Sequence, residues 1–181
     1  MFVQASFSEA ARQDPDLKVT VDKTIDHVNK IIEKTRRLSA GLSPSTLEIL
    51  GLSTAIKTLV KDYESLGQFR IKLTISNLDH TAFQGDGINI YRIIQEALNN
   101  ILKHADASLV EIGFRKKRNQ IELFISDNGC GFDVARTSEF GLGLSTMRER
   151  VVILGGTFQL ESVESEGTRI RIMLPVTKNE Q

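Results

Sequence analysis

Five short stretches of the chain alternate apolar and polar residues, and segments with helical spacing lie between them. The alternating stretches cover 71–75, 110–114, 121–125, 158–160 and 170–174. A period of two predicts strands, and because each stretch is apolar on mainly one side, one sheet face should be buried and the other largely in water. Helical spacing covers about 46–65, 87–104 and 145–154. Three helices against one face of a mixed, mostly antiparallel sheet predict an α+β fold, a two-layer α/β sandwich.

The N-terminal quarter of the chain is predicted to be helical. Val21, Ile25, Val28 and Ile32 form a heptad seam within a predicted helix over 16–42. A shorter helical stretch over 2–13 would complete a helical hairpin. The apolar seam needs a cover, which is either the domain that follows or a second copy in a dimerising four-helix bundle.

Composition excludes several classes of protein. Lys and Arg together equal Asp and Glu, at 23 each, which argues against nucleic acid as the main direct partner. No apolar run reaches the ~18 residues needed to span a bilayer, and the first residues do not form a signal peptide. The single cysteine, Cys130, excludes an internal disulfide and fits a reducing compartment, so we expect a cytoplasmic location.

The helix predicted over 87–104 carries a polar stripe. Arg92, Glu96, Asn100 and Lys103 follow one another at steps of four, four and three residues. Most such stripes are solvated helix faces. The chemistry also suits a phosphate site, because an amide oxygen can bind Mg²⁺, a lysine can face phosphate and a carboxylate can orient a nucleophile. The spacing alone leaves both interpretations open.

Two glycine-containing segments lie between the third and the fourth predicted strands. Asp127, Asn128 and Gly129 form an ordinary turn sequence, but a second glycine at 131 would let the backbone approach a flat ligand. Asp127 could then accept a hydrogen bond from an exocyclic amine. Gly141 and Gly143 precede the helix expected from Ser145, where free N–H groups could bind an anion. The alternative is a plain loop with Ser145 as N-cap.

The order of these segments resembles that of a known family. QEALNNILKHA, DNGCGF, GLGLSTMRERVVILGG and GTRIRIMLP occur in succession. Together they are similar to the N box, the glycine boxes and the terminal Gly-Thr of the histidine-kinase ATPase superfamily, over about residues 48–176. The resemblance implies a Bergerat-type ATP-binding fold with ATP and Mg²⁺ as ligands. It also leaves two rival functions, a serine-protein kinase or ATPase of the same superfamily and a non-catalytic nucleotide-binding or dimerisation module.

The resemblance implies a role for each matching residue. Glu96 corresponds to the acidic residue that supports phosphoryl transfer, and Asn100 to the asparagine that binds Mg²⁺. Asp127 corresponds to the aspartate that accepts the adenine amino group. The remaining ATP-binding positions are the phosphate and ribose pair Lys103 and His104, the pocket-shaping Gly129 and Gly131, Gly141 and Gly143, which would flank the lid and phosphate site, their neighbours Leu142 and Leu144, and Thr168, which would reach adenine through water. Leu142 stands where the family often has His, so only the pocket edge is assigned to it.

The upstream segment RRLSAGLSPSTLEILGLSTAIKTL is similar to sensor kinases of the nitrate-sensor type. That resemblance implies partial dimerisation and phosphoacceptor helices over 1–45, an ATP-binding catalytic domain over 46–181, and a possible homodimer through the N-terminal helices. The implied partner is a response regulator with a helix-turn-helix output domain. No histidine of the chain is followed by an acidic residue, and His27 precedes Val28. We therefore expect a histidine kinase that does not autophosphorylate alone, and whose full-length form could be membrane-anchored upstream.

Overall fold

The computed structural model describes Thr24 and residues 51–75, 86–117, 119–134 and 142–175. Apart from Thr24, these residues belong to one structural unit of the chain, which covers 44–181. The helix expected over 16–42, with its heptad seam, lies outside the described residues except for Thr24. The proposed division at residue 45 therefore stays a prediction.

A five-stranded sheet forms one layer of the fold. Its strands are β1 (Arg70–Thr74), β2 (Leu109–Lys117), β3 (Gln120–Asp127), β4 (Thr157–Val163) and β5 (Gly167–Pro175). They lie side by side in the order β1-β2-β3-β5-β4. Only β1 and β2 are parallel, and the other three pairs are antiparallel. The prediction of a mixed, mostly antiparallel sheet is confirmed.

Within the described residues, three helices supply the second layer. They are α1 (Leu52–Glu64), α2 (Gly87–His104) and α3 (Leu142–Ile153). The bounds of α2 agree with the prediction, and its apolar residues Ile90, Ile94 and Ala97 are fully buried. They form one core with inward residues of the central strands, such as Ile112 and Leu123. The helix α2 is also the crossover that a parallel β1–β2 pair requires.

The outer face of the sheet is less exposed to solvent than the alternation of apolar and polar residues predicts. Glu122 on this face is only 5% exposed, and its Oε1 lies 3.0 Å from the Lys117 ammonium. Gly113 lies directly opposite Phe124 and has no side chain, so the Phe124 ring covers it. The Arg115 guanidinium in turn lies 4.2 Å from the centre of that ring. A glycine opposite an aromatic residue thus lets outward side chains close over the sheet.

The start of α3 differs from the prediction. We expected the helix to begin near Ser145, but it begins at Leu142. The Thr146 hydroxyl donates to the Leu142 carbonyl at 2.8 Å, which belongs to the first turn. The helix ends as expected at paired glycines, where Gly155 adopts a φ of 64° and the Gly156 N–H donates to the Val151 carbonyl.

Candidate functional site

A cavity of about 580 Å³ opens between α2, the end of β3, the start of α3 and β5. This size lies within the range of small-molecule sites, which is roughly 300–1,000 Å³. Most of the residues selected from the sequence line it: Glu96, Asn100, Lys103, His104, Asp127, Gly131, Leu142, Gly143, Leu144 and Thr168. Gly129 does not line the cavity but packs against Ala105, which does. Gly141 lies outside the described residues.

Asp127 is a buried polar residue that lines the cavity. It is the last residue of β3, is 9% exposed, and lies directly opposite Thr168 on β5. The Gly129 N–H donates to its Oδ1 at 2.9 Å, and the Thr168 N–H also donates to the carboxylate. Burial raises the pKa of Asp127 above its ordinary value, and these two backbone N–H groups offset part of that rise. Asp127 is thus a fixed, partly desolvated hydrogen-bond acceptor.

Apolar side chains surround this acceptor. Ile125 and Ile170 are buried and line the cavity beside Asp127 and Thr168. Ala97 and Ile101 of α2 line it from the helical layer. An apolar slot with one buried acceptor, Asp127, suits a flat heterocycle that carries a single exocyclic donor.

The glycines after β3 allow the backbone to pass close to its neighbours. A Cβ on Gly129 would lie 2.7 Å from Ala105 Cβ and 2.8 Å from the Ala105 carbonyl carbon. Gly131 has a φ of 57°, and a Cβ there would lie 2.9 Å from the Gly167 carbonyl oxygen. A side chain at either position would displace the segment that holds Asp127, because the Ala105 carbonyl carbon and the Gly167 carbonyl oxygen are backbone atoms.

The other end of the cavity is polar. Glu96 and Asn100 are half-buried on α2, and Lys103 and His104 are exposed at its C-terminal end. The first turn of α3 approaches Glu96 and Asn100 closely, since a Cβ on Gly143 would lie 3.1 Å from Glu96 Cδ and 3.4 Å from Asn100 Nδ2. A carboxylate, an amide and a cation therefore face one end of the slot, as a polyphosphate site requires.

The fourth residue of the predicted stripe does not belong to this group. Arg92 does not line the cavity, and its guanidinium donates to Gln95 Oε1 at 2.9 Å on the same helix. Helical spacing placed four residues on one side of α2, and three of them, Glu96, Asn100 and Lys103, line the cavity.

Ser162 is a site residue that the sequence did not reveal. Its Oγ accepts from the Phe132 N–H at 2.9 Å and donates to the Gly167 carbonyl at 3.0 Å. It also lies 3.0 Å from the Thr168 hydroxyl. Ser162 is half-buried and lies on the same face of β4 as Phe158 and Leu160, but it has no motif around it, so only the β4–β5 pairing identifies it.

No group of three or more His, Cys, Asp or Glu side chains that could hold a metal occurs within residues 51–75, 86–117, 119–134 and 142–175 or at Thr24. Within the same residues, no helix is long and apolar enough to cross a membrane. Any metal at the polar end would therefore need most of its ligands from a bound molecule and water.

A buried acceptor in an apolar slot, with Glu96, Asn100 and Lys103 at the other end of the same cavity, is the arrangement expected of a nucleotide-binding domain. The sequence profile of the family described as histidine kinase-, DNA gyrase B- and HSP90-like ATPase matches residues 85–178. The chain belongs to this family. Its domain is of the kind found in sensor histidine kinases, and ATP is the nucleotide that the family binds.

The chain is similar to several curated sensor kinases. It is 32% identical to the sensor histidine kinase MctS of Rhizobium johnstonii over 91% of this chain and 36% of that protein. It is also 32% identical to the oxygen sensor histidine kinase NreB of Staphylococcus carnosus, over 92% of this chain and 48% of NreB. The sensor protein VraS of Staphylococcus saprophyticus is 32% identical to the chain, over 97% of this chain and 51% of VraS. The chain thus spans about half or less of the length of these relatives.

Solved structures share the fold. The blue-light activated histidine kinase of Erythrobacter litoralis matches with a TM-score of 0.67 and 19% identity, over 84% of this chain and 51% of that one. The ATP-binding domain of PrrB from Mycobacterium tuberculosis matches with a TM-score of 0.53 and 23% identity, over 67% of this chain and 90% of that one. The predicted α+β ATP-binding fold is confirmed.

Proposed function

We propose that this chain is the catalytic ATP-binding part of a sensor histidine kinase. It transfers the γ-phosphoryl group of ATP to a histidine supplied outside these 181 residues, and from there the group passes to an aspartate of a response regulator. The observation that carries the proposal is the separation of two chemistries within one cavity. Asp127 lies at the apolar end, and Glu96 with Asn100 lies at the polar end.

Each end has a distinct task in this proposal. The Asp127 carboxylate accepts the adenine amino group, while Ile125 and Ile170 contact the ring faces. Lys103 and His104, at the open end of α2, bind the phosphates and ribose. Glu96 orients the attacking histidine or accepts its proton. Positioning and neutralisation of charge supply most of the rate enhancement in phosphoryl transfer, so the fixed geometry is the main contribution of the protein.

A Mg²⁺ ion fits the donor set at the polar end. Asn100 would hold it through its amide oxygen, and ATP phosphates and water would complete the shell, as Mg²⁺ prefers. Gly143 brings the first turn of α3 to within contact of both Glu96 and Asn100, so the amide lies beside the carboxylate. The ion would neutralise phosphate charge during transfer.

The wider proposals rest on the sequence and on the relatives. Residues 1–45 form part of the dimerisation helices and allow a homodimer, whereas 46–181 form the catalytic domain. The response regulator carries a helix-turn-helix output, and the reaction takes place in the cytoplasm. The similarity to sensor kinases supports these proposals.

Replacing Asp127 with Asn tests the proposal. The variant keeps the shape of the side chain but removes the charged acceptor, and a hydrogen bond to a charged group contributes about 1.5–3 kcal/mol. We expect the affinity for ATP, measured by calorimetry with Mg²⁺ present, to fall at least about tenfold. Phosphotransfer to a separately added acceptor helix should fall with it.

Asp86→Asn is the matched control. Asp86 is exposed at the opposite end of α2, and its side chain makes no capping hydrogen bond. This variant removes the same charge and should bind ATP as the parent does. Equal affinity of the parent and Asp127→Asn would show that the adenine assignment is wrong.

A further inference from the structure

Ser162 connects three parts of the nucleotide cavity through one hydroxyl group. Its Oγ contacts the Phe132 N–H after β3, the Gly167 carbonyl at the start of β5, and the Thr168 hydroxyl on β5. Ser162 and Thr168 are also direct partners across the β4–β5 pair. Thr168 lines the cavity, whereas Ser162 does not.

The direction of each hydrogen bond follows from the chemistry of the atoms. A hydroxyl group has one proton to donate and two lone pairs to accept with. The Gly167 carbonyl can only accept, so the single Ser162 proton points to it. The Phe132 N–H can only donate, so it occupies one lone pair of Ser162 Oγ. The contact with Thr168 must therefore use the other lone pair, and Thr168 is the donor.

This direction fixes the polarity of the cavity wall. Because the Thr168 proton is directed at Ser162, the Thr168 oxygen can offer only lone pairs to a ligand. The neighbouring Asp127 carboxylate also offers only lone pairs. Asp127 and Thr168 lie directly opposite each other on β3 and β5. The Asp127 end of the slot thus presents two acceptors and no side-chain hydroxyl proton.

We propose that Ser162 is a positioning residue that makes Thr168 an acceptor, and that this sets the selectivity of the site for a purine with an exocyclic amine. Such an amine has two protons to give. A purine with a carbonyl in the same place presents lone pairs to lone pairs, and the site rejects it. The inference rests on the proposed nucleotide site and adds to it a residue that never touches the base.

The test compares the binding of ATP with that of ITP, in which a carbonyl replaces the amine. The whole chain is used, and the measured quantity is the ratio of the two dissociation constants from calorimetry. In Ser162→Ala, the Thr168 proton loses its acceptor and can turn toward the cavity. We expect ATP to bind more weakly and ITP more tightly, so that the selectivity falls about tenfold.

Ser162→Thr is the conservative variant, and it should keep the parental ratio because it retains a hydroxyl group. A purely structural role for Ser162 would weaken the binding of both nucleotides by the same factor and leave the ratio unchanged. A ratio within twofold of the parent in a folded Ser162→Ala protein would overturn the proposal.

Thr168→Val supplies a second measurement that leaves Ser162 in place, should Ser162→Ala fail to fold. If the Thr168 hydroxyl is an acceptor, this change weakens ATP binding and leaves ITP binding unchanged or tighter, because the lone pairs that oppose the carbonyl are removed. If the hydroxyl is a donor, ITP loses affinity and ATP does not, and the proposal is wrong. Failure of the parent chain to bind ATP at all would instead refute the proposed function.

Discussion

Gly143→Ala should separate the stability of the domain from its catalysis. Gly143 lies in the first turn of α3 against the Glu96 carboxylate, and an added Cβ would lie 3.1 Å from Glu96 Cδ and overlap Oε1. To reach ordinary van der Waals separation, that oxygen must move by about 1 Å. The obstacle is the end of a flexible side chain and not backbone, so the fold can accommodate the change.

The two expected effects have opposite signs. Alanine is favoured over glycine within a helix by roughly 0.5–1 kcal/mol, so the midpoint of thermal unfolding should stay the same or rise. A shift of ~1 Å in a catalytic group can reduce the rate of a reaction about 10²-fold. We therefore expect phosphotransfer to a separate acceptor helix to fall by about that factor, while the protein remains as stable as the parent.

A double-mutant cycle with Glu96→Ala identifies the cause. Without the Glu96 carboxylate the new methyl group has no oxygen to displace, so Gly143→Ala should have little further effect on the transfer rate in that background. Additive losses would show that the methyl group acts on something other than Glu96. A Gly143→Ala rate within threefold of the parent would refute the positioning argument itself.

Two further predictions concern Asp127 and its support. Gly129→Ala places a Cβ 2.8 Å from the Ala105 carbonyl carbon, a backbone atom, and should lower the free energy of unfolding by about 1–3 kcal/mol in urea titrations; an unchanged midpoint would contradict this. Carbon-13 NMR of the Asp127 carboxyl in the ligand-free protein should give a titration midpoint above the ordinary 3.8. Because the folded pKa is raised, the contribution of Asp127 to stability is greatest below pH 3.8 and is lost as the pH rises through the folded pKa, and Asp127→Asn should remove this contribution. A midpoint at or below 3.8 would show that burial does not dominate at this carboxyl.

Local patterns in the sequence were sufficient to predict the elements that carry the site. The bounds of α2 follow from apolar residues at helical spacing, and the alternation in 121–125 predicts β3 and places Asp127 at its end. These predictions succeeded because periodicity reports which side of an element is buried, and burial determines packing. The start of α3 was placed three residues late because a glycine gives no local helical signal.

The order of the motifs indicated that the selected residues belong to one site. Glu96 and Asp127 are 31 positions apart, and no spacing rule connects them. Resemblance to a family supplied the connection, and the cavity brings both residues together with Thr168. Their roles in binding and transfer remain predictions that the variants above address.

The sequence by itself determined the elements, the class of fold and the identity of the polar groups, because all of these depend on side-chain chemistry and short-range spacing. Only the tertiary structure decided which of those groups meet. The approach of Gly143 to Glu96, the exclusion of Arg92 and the hydrogen bonds of Ser162 all depend on contacts between elements distant in the chain. The Ser162 hydroxyl donates in a defined direction because Phe132, Gly167 and Thr168 surround it, and no local pattern in the sequence encodes that arrangement.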